Sequence, residues 1–352
     1  MWKIFLTFVF HRFLLFAIAI ITINAKISPQ NSGRVIRPFQ SQSVLLHKFM
    51  ERVEEGSEVR ALSVLNQQPI GKMFRLTQDP FLWISRFVSF ALQINSVYSV
   101  LIVSNLLLLL FLWELNTLGS RLALPEVASG AGILTVLWMT SYELSLGSNL
   151  SLSCFLVTML FRTAIDSQWF FAGIGLGLLA LNDRIAIGIA PLLIYLFWYF
   201  QRFNPASEVL KKGVFFLAPV IIALVLKWKY YQDVWLFVQG SAFVNVITAI
   251  KTGSISQWPL AQNNFGQTIS LLIFLAGAIS AGVVNSSFIH RLLPIVIFIV
   301  VLAFSSYSTL ASRLLIAGIC FEGITASLSG IFLRLIQLAL IIMSCYEIVS
   351  LF

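Results

Sequence analysis

The chain has 352 residues, 59% of them hydrophobic and only 11% charged, with 23 Lys and Arg against 14 Asp and Glu. Repeated apolar runs long enough for a roughly 30 Å hydrocarbon layer exclude a single soluble core, and the absence of ten-residue alternation excludes a transmembrane barrel. The expectation is an all-α polytopic membrane protein, a single integral membrane domain over residues 1–352, with no soluble domain set apart.

The first apolar run, 4–24, is interrupted by His11 and Arg12. A secretory signal carries a short uninterrupted apolar region, so this run reads as a retained helix despite the small residues of "INA" before Lys26. Residues 25–95 form a long first loop. Within it, "MERVEEGSEVR" reads as an interfacial amphipathic segment: Phe49, Val53 and Val59 turn inward, while Glu51, Arg52, Glu54, Glu55, Glu58 and Arg60 make solvated pairs. Asp79 precedes Pro80, the pattern of a turn or helix cap. "FLWISRFVSFALQI", residues 81–94, has Arg86 in mid-segment and is expected along the interface, not across the membrane.

Ten further spans follow, at 96–115, 127–146, 149–162, 169–182, 185–200, 213–228, 268–284, 292–307, 313–330 and 331–351, giving about eleven in all with a range of about 9–12. Several are shorter than the roughly 20 residues of a simple crossing, so they require tilt or shelter from neighbours. The 32-residue stretch 169–200 is too long for one helix, and Asn182, Asp183 and Arg184 mark a tight turn between two. The glycines of "GIGLG", 173–177, sit inside an apolar helix with no strand before them, so they serve close helix packing and not dinucleotide binding. A second outer loop, 229–267, mixes Trp, Tyr, Gln and Asn, which suits both the membrane interface and sugar contacts.

Orientation follows from the positive-inside rule. With the N-terminus cytoplasmic, Lys3, Arg121, Arg162, Arg202, Lys211, Lys212, Arg291 and Arg334 face inward. Short outer turns hold only Arg184 and Arg313, and Lys227 and Lys229 open the second outer loop. Residues 25–95 are then extracytoplasmic, and a bacterial inner membrane is the expected location.

Several stretches together resemble one family. "WFFAGIGLGLLALNDRIAIGIAPLLIYLF" is similar to the segment of GT-C glycosyltransferases in which a small-residue helix runs into a basic polar turn and then a Pro-containing helix. "FVFHRFLLFAIAI", "DPFLWISRFVSF", "VLIVSNLLLLLFLWEL", "TSYELSLGSNLSLSCFL" and "LASRLLIAG" resemble, in order and spacing, further segments of bacterial relatives of glycosylphosphatidylinositol mannosyltransferase II. The resemblance covers residues 1–330 and implies a sugar, mannose in those relatives, moved from a polyprenyl-phosphate donor at the extracytoplasmic face. One departure bears on catalysis: the family's Trp-Asp followed by Tyr is absent between residues 26 and 80.

Such a transfer needs a carboxylate to take the acceptor hydroxyl's proton and a cation to face the leaving phosphate. Glu54, Glu55 and Asp79 are the candidate catalytic acids, beside Glu51 and Glu58. Arg184 and Arg313 are candidate phosphate ligands, and Glu143, Asn149 and Asp183 candidate cavity-lining residues. For Arg184 the alternative is a local ion pair with Asp183, and for Glu143 simple access to water one turn from a helix end. Cys154, Cys320 and Cys345 read as small core residues; His11, His47 and His290 are scattered, and no metal site or cofactor is expected beyond the lipid-linked sugar substrate. The expected partners are membrane lipids, the lipid-linked sugar and other membrane subunits, with no nucleic acid. Two other readings stay open: a surface-polysaccharide polymerase or ligase, and a non-catalytic GT-C-like subunit of a glycan or lipid assembly complex.

Overall fold

The structure is a computed structural model; it describes residues 1–27, 57–67, 79–122, 125–138, 141, 144–228, 232, 238–239, 241–252, 265–284, 288–306, 310–328 and 330–351. Among these the regular structure is entirely helical. In chain order the helices are α1 (Trp2–Ile27), α2 (Ser57–Asn66), α3 (Pro80–Leu92), α4 (Ser96–Leu122), α5 (Pro125–Leu137), α6 (Leu150–Ile165), α7 (Trp169–Asn182), α8 (Ile185–Gln201), α9 (Ala206–Leu226), α10 (Ala242–Thr252), α11 (Phe265–Val284), α12 (Phe288–Ala303), α13 (Leu310–Arg313), α14 (Cys320–Ser327) and α15 (Gly330–Leu351), with a 3-10 turn at Leu314–Ala317. Among the described residues, four helical stretches are long and apolar enough to cross a membrane: Trp2–Thr22, Ser96–Leu122, Ala206–Leu226 and Gly330–Val349. A fifth is reached if Leu310–Ala317 and Cys320–Ser327, bent by 75°, form one broken span.

Glycines set the spacing around α7. A Cβ at Gly173 would stand 2.4 Å from the Phe216 carbonyl oxygen, and one at Gly177 would stand 2.9 Å from that of Pro219, so α9 lies backbone-close on one side. On another side a Cβ at Gly175 would meet Met159 and Leu160 of α6 at 2.6 and 3.0 Å. This is the small-residue packing that replaces hydrophobic driving force between helices in lipid.

Two expected spans take a different form. The run 127–146 is helical only to Leu137; beyond it Trp138, Ser141, Leu144, Ser145 and Gly147 are buried in irregular backbone. Side chains hold that stretch: Ser141 Oγ donates to the Val136 carbonyl (2.7 Å), Trp138 Nε1 to the Ala311 carbonyl (3.2 Å) and Asn105 Nδ2 to the Ser145 carbonyl (3.0 Å). Non-helical backbone at membrane depth is tolerated when protein encloses it in this way. The run 313–330 breaks at Gly318, where a Cβ would press on Phe111 and Leu115 at 3.3 and 3.4 Å. After the break, Gly323 lies against the α11 backbone at Gly277 and Ala281.

Helix α3 has its polarity turned inside out. Asp79 caps it by accepting the Phe81 N–H (2.9 Å), and Gln93 ends it with φ 53°, its N–H reaching the Ser89 carbonyl. Ser85, Arg86 and Ser89 are buried, the Ser85 carbonyl accepting from Ser99 of α4 and the Ser89 hydroxyl from Asn66 of α2, while Ile84, Phe87 and Phe90 are exposed.

Candidate functional site

The polar turn after α7 is where distant parts of the chain converge. Asp183 leaves the helix in extended backbone and accepts the Ile185 N–H on Oδ1 (3.0 Å), which opens α8. The same carboxylate receives Arg313 Nη2 on both oxygens, at 2.7 and 2.8 Å, and Ser153 Oγ lies 3.2 Å from its Oδ2. Arg313 Nε in turn donates to Ser305 Oγ (3.2 Å) at the end of α12, and the Ser305 carbonyl accepts the Ala242 N–H (2.8 Å). Asn182 Nδ2 completes the set by donating to Ser153 Oγ (2.9 Å) and to the Asn149 carbonyl (3.3 Å). The ends of α7 and α12, the starts of α6, α8 and α10, and α13 are thereby locked together at one end of the bundle.

Lys227 adds a second cation at this place. It caps the C-terminus of α9, and its Nζ donates to the Leu181 carbonyl, one residue before the polar turn. Its charge interacts with Asp79, Asp183 and Arg184, and Asp79 in turn interacts with Lys227 and Glu58. Burial raises the Asp79 carboxyl above its ordinary value, partly offset by the Phe81 N–H and the Lys227 charge. Burial likewise lowers the Lys227 ammonium, against the pull of Asp79 and Asp183. The Lys227 charge thereby links the residue that caps α3, the C-terminus of α9 and the turn between α7 and α8.

The candidates named from sequence fare differently. Glu54, Glu55 and Glu143 lie outside the described residues. Asp183 and Arg313 are bonded to each other, Asp79 and Arg184 are related to that turn through the charge of Lys227, and Asn149 contributes through its backbone carbonyl. Asp183 makes an ion pair with Arg313 at 2.7 Å. Ser153, Ser305 and Lys227 are contributors the sequence did not single out. Lys227 had a signal as a basic residue at a helix end, whereas Ser153 and Ser305 have none in spacing.

At the other end of the bundle Arg162 of α6 binds Glu114 of α4 in a two-pronged pair and lies 3.5 Å from Asp166, which is 3.6 Å from Arg121. Among the described residues no three His, Cys, Asp or Glu gather as a metal-holding group. Comparison with known protein families, curated proteins and solved structures finds no match.

Proposed function

We propose that the chain is a GT-C-like glycosyltransferase of about eleven crossings that moves a sugar from a polyprenyl-phosphate donor to an acceptor hydroxyl at the extracytoplasmic face. The observation that carries this reading is the polar turn at Asp183, locked by Arg313 through both carboxylate oxygens and met by the Lys227 ammonium at the Leu181 carbonyl, with Asp79 in turn within reach of the Lys227 charge. Asp79 supplies the base: as the acceptor oxygen bonds to the anomeric carbon, its proton passes to the carboxylate, and the bond from that carbon to the phosphate oxygen breaks. The phosphate leaves on its polyprenyl chain, facing Arg184 and Lys227. Burial raises this carboxyl above its ordinary value, which makes it a stronger proton acceptor. Arg313, whose Nε and Nη2 are engaged with Ser305 and Asp183, holds the turn that presents Arg184.

The test is sugar transfer by purified protein from a polyprenyl-phosphate hexose. Asp79→Asn keeps the helix cap, because Asn caps as well as Asp, and is expected to lower turnover by about 10²-fold or more with donor binding retained. Unchanged turnover in that variant removes Asp79 from the mechanism and returns the role to Glu54 or Glu55.

A second reading has its own support. The carboxylate of Asp183 is neutralised by Arg313 and fully used in hydrogen bonds, as in a structural brace. A non-catalytic subunit of a glycan or lipid assembly complex would keep that brace. It would bind the lipid donor without turning it over.

A further inference from the structure

The end of the bundle opposite Asp183 carries its own cations, and they differ in what they touch. Arg162 and Arg121 face carboxylates. Arg202, which caps the C-terminus of α8, meets none among the described residues. Its guanidinium carbon instead lies 4.6 Å from the ring centre of Tyr199 and 4.6 Å from that of Phe203. Ring contacts of this kind engage the flat face of a guanidinium and leave its in-plane N–H edge for a phosphate or carboxylate.

The surroundings fit one class of anion. Gln201 Oε1 accepts from Asn204 Nδ2 (2.6 Å) and from Lys212 Nζ (3.2 Å), which draws the Lys212 ammonium back to the residue beside Arg202. Between residues 199 and 212 the ionisable cations are Arg202, Lys211 and Lys212 against the single acid Glu208, which Lys212 meets at 3.5 Å. The approach is aromatic: Phe203 is 86% exposed and Trp198 60%, with Tyr195 6.2 Å from Trp198 and 6.3 Å from Tyr199 between ring centres. A soluble phosphate gains nothing from those rings. A phospholipid does, because amphipathic aromatic side chains settle at headgroup depth while cations beside them meet anionic headgroups.

We propose that the connection from Tyr199 to Lys212 is a docking site for the phosphodiester of an anionic phospholipid, with the Arg202 fork as its principal ligand and Lys211 and Lys212 as supporting charges. The site stands apart from the Asp183 cluster, so it does not depend on the proposed transfer reaction.

The experiment uses the full chain in nanodiscs of phosphatidylcholine with and without phosphatidylglycerol, reading retained phosphatidylglycerol by native mass spectrometry. Wild type is expected to retain it preferentially. Arg202→Gln weakens retention about fivefold, and adding Lys211→Gln weakens it about fivefold again. Arg202→Lys keeps the charge and loses the fork, and is expected to fall between wild type and Arg202→Gln. Tyr199→Leu with Phe203→Leu leaves the charges in place and is also expected to reduce retention. Equal retention by wild type and the Arg202→Gln, Lys211→Gln variant overturns the site. So does an equal loss in Arg334→Gln, an exposed cation elsewhere, because the effect would then follow total charge alone.

Discussion

Asp183 and Arg313 are 130 residues apart in the chain and joined through both carboxylate oxygens, at 2.7 and 2.8 Å. The pair fastens the turn between α7 and α8 to the helix that enters the broken segment, and it is partly buried, with side chains 10% and 20% exposed. Removing one member of a buried pair leaves the other uncompensated, at a cost of about 3–5 kcal/mol. Arg313→Met and Asp183→Asn are each expected to lose stability in detergent on that order, and the double variant less than the sum of the two. Additive losses in this cycle would show that the two side chains act separately.

Asp79 gives a pH dependence of known sign. Its carboxyl is raised from 3.8, chiefly by burial, so the folded protein holds that proton more tightly than the unfolded chain. The contribution to stability is complete below the ordinary value and is lost as pH rises through the raised one. Asp79→Asn, which cannot ionise, is therefore expected to match wild type in acid and to exceed it in stability as pH increases. Thermal melts of both proteins across that window check it; a deficit of the variant that grows with pH would contradict the burial argument.

Helix contact makes two glycines unequal. A Cβ on Gly323 would stand 2.2 Å from the Gly277 carbonyl oxygen and 2.4 Å from the Ala281 nitrogen, both backbone atoms that cannot turn aside. Gly323→Ala is expected to cost about 1–3 kcal/mol or more, by forcing α11 and α14 apart. At Gly213 the nearest atom is Phe197 Cζ at 3.6 Å, and Ala there is expected to stabilise α9 by about 0.5–1 kcal/mol. Melting temperatures of the two variants should move in opposite directions.

The helices were legible where length and polarity agree. The polar turn at Asn182, Asp183 and Arg184 divides two apolar runs, and α7 ends and α8 begins there. The break at Gly318 was not legible, because "LLIAGICF" is apolar throughout and the close approach there of Phe111 and Leu115 comes from a helix far earlier in the chain. The short extent of α5 was hidden for a similar reason: its continuation is apolar enough for a span, and buried bonds from Trp138 and Ser141 decide otherwise. Of the site, Asp183 and Arg313 were each visible as charges at helix ends. Their pairing was not, since no periodicity relates residues so far apart. Lys227 appeared only as a topological marker, because its reach to Leu181 depends on how closely α9 packs on α7.

The central claim is that this end of the bundle receives a lipid-linked phosphate, and Arg184 tests it most directly. The measurement is equilibrium binding of a polyprenyl-phosphate hexose by wild type, Arg184→Lys and Arg184→Ala at equal amounts of folded protein. A phosphate-facing guanidinium predicts tight binding by wild type, partial binding by Arg184→Lys, in which a point charge persists without the planar fork, and a loss of about tenfold or more for Arg184→Ala. Wild-type affinity in Arg184→Ala would contradict the account.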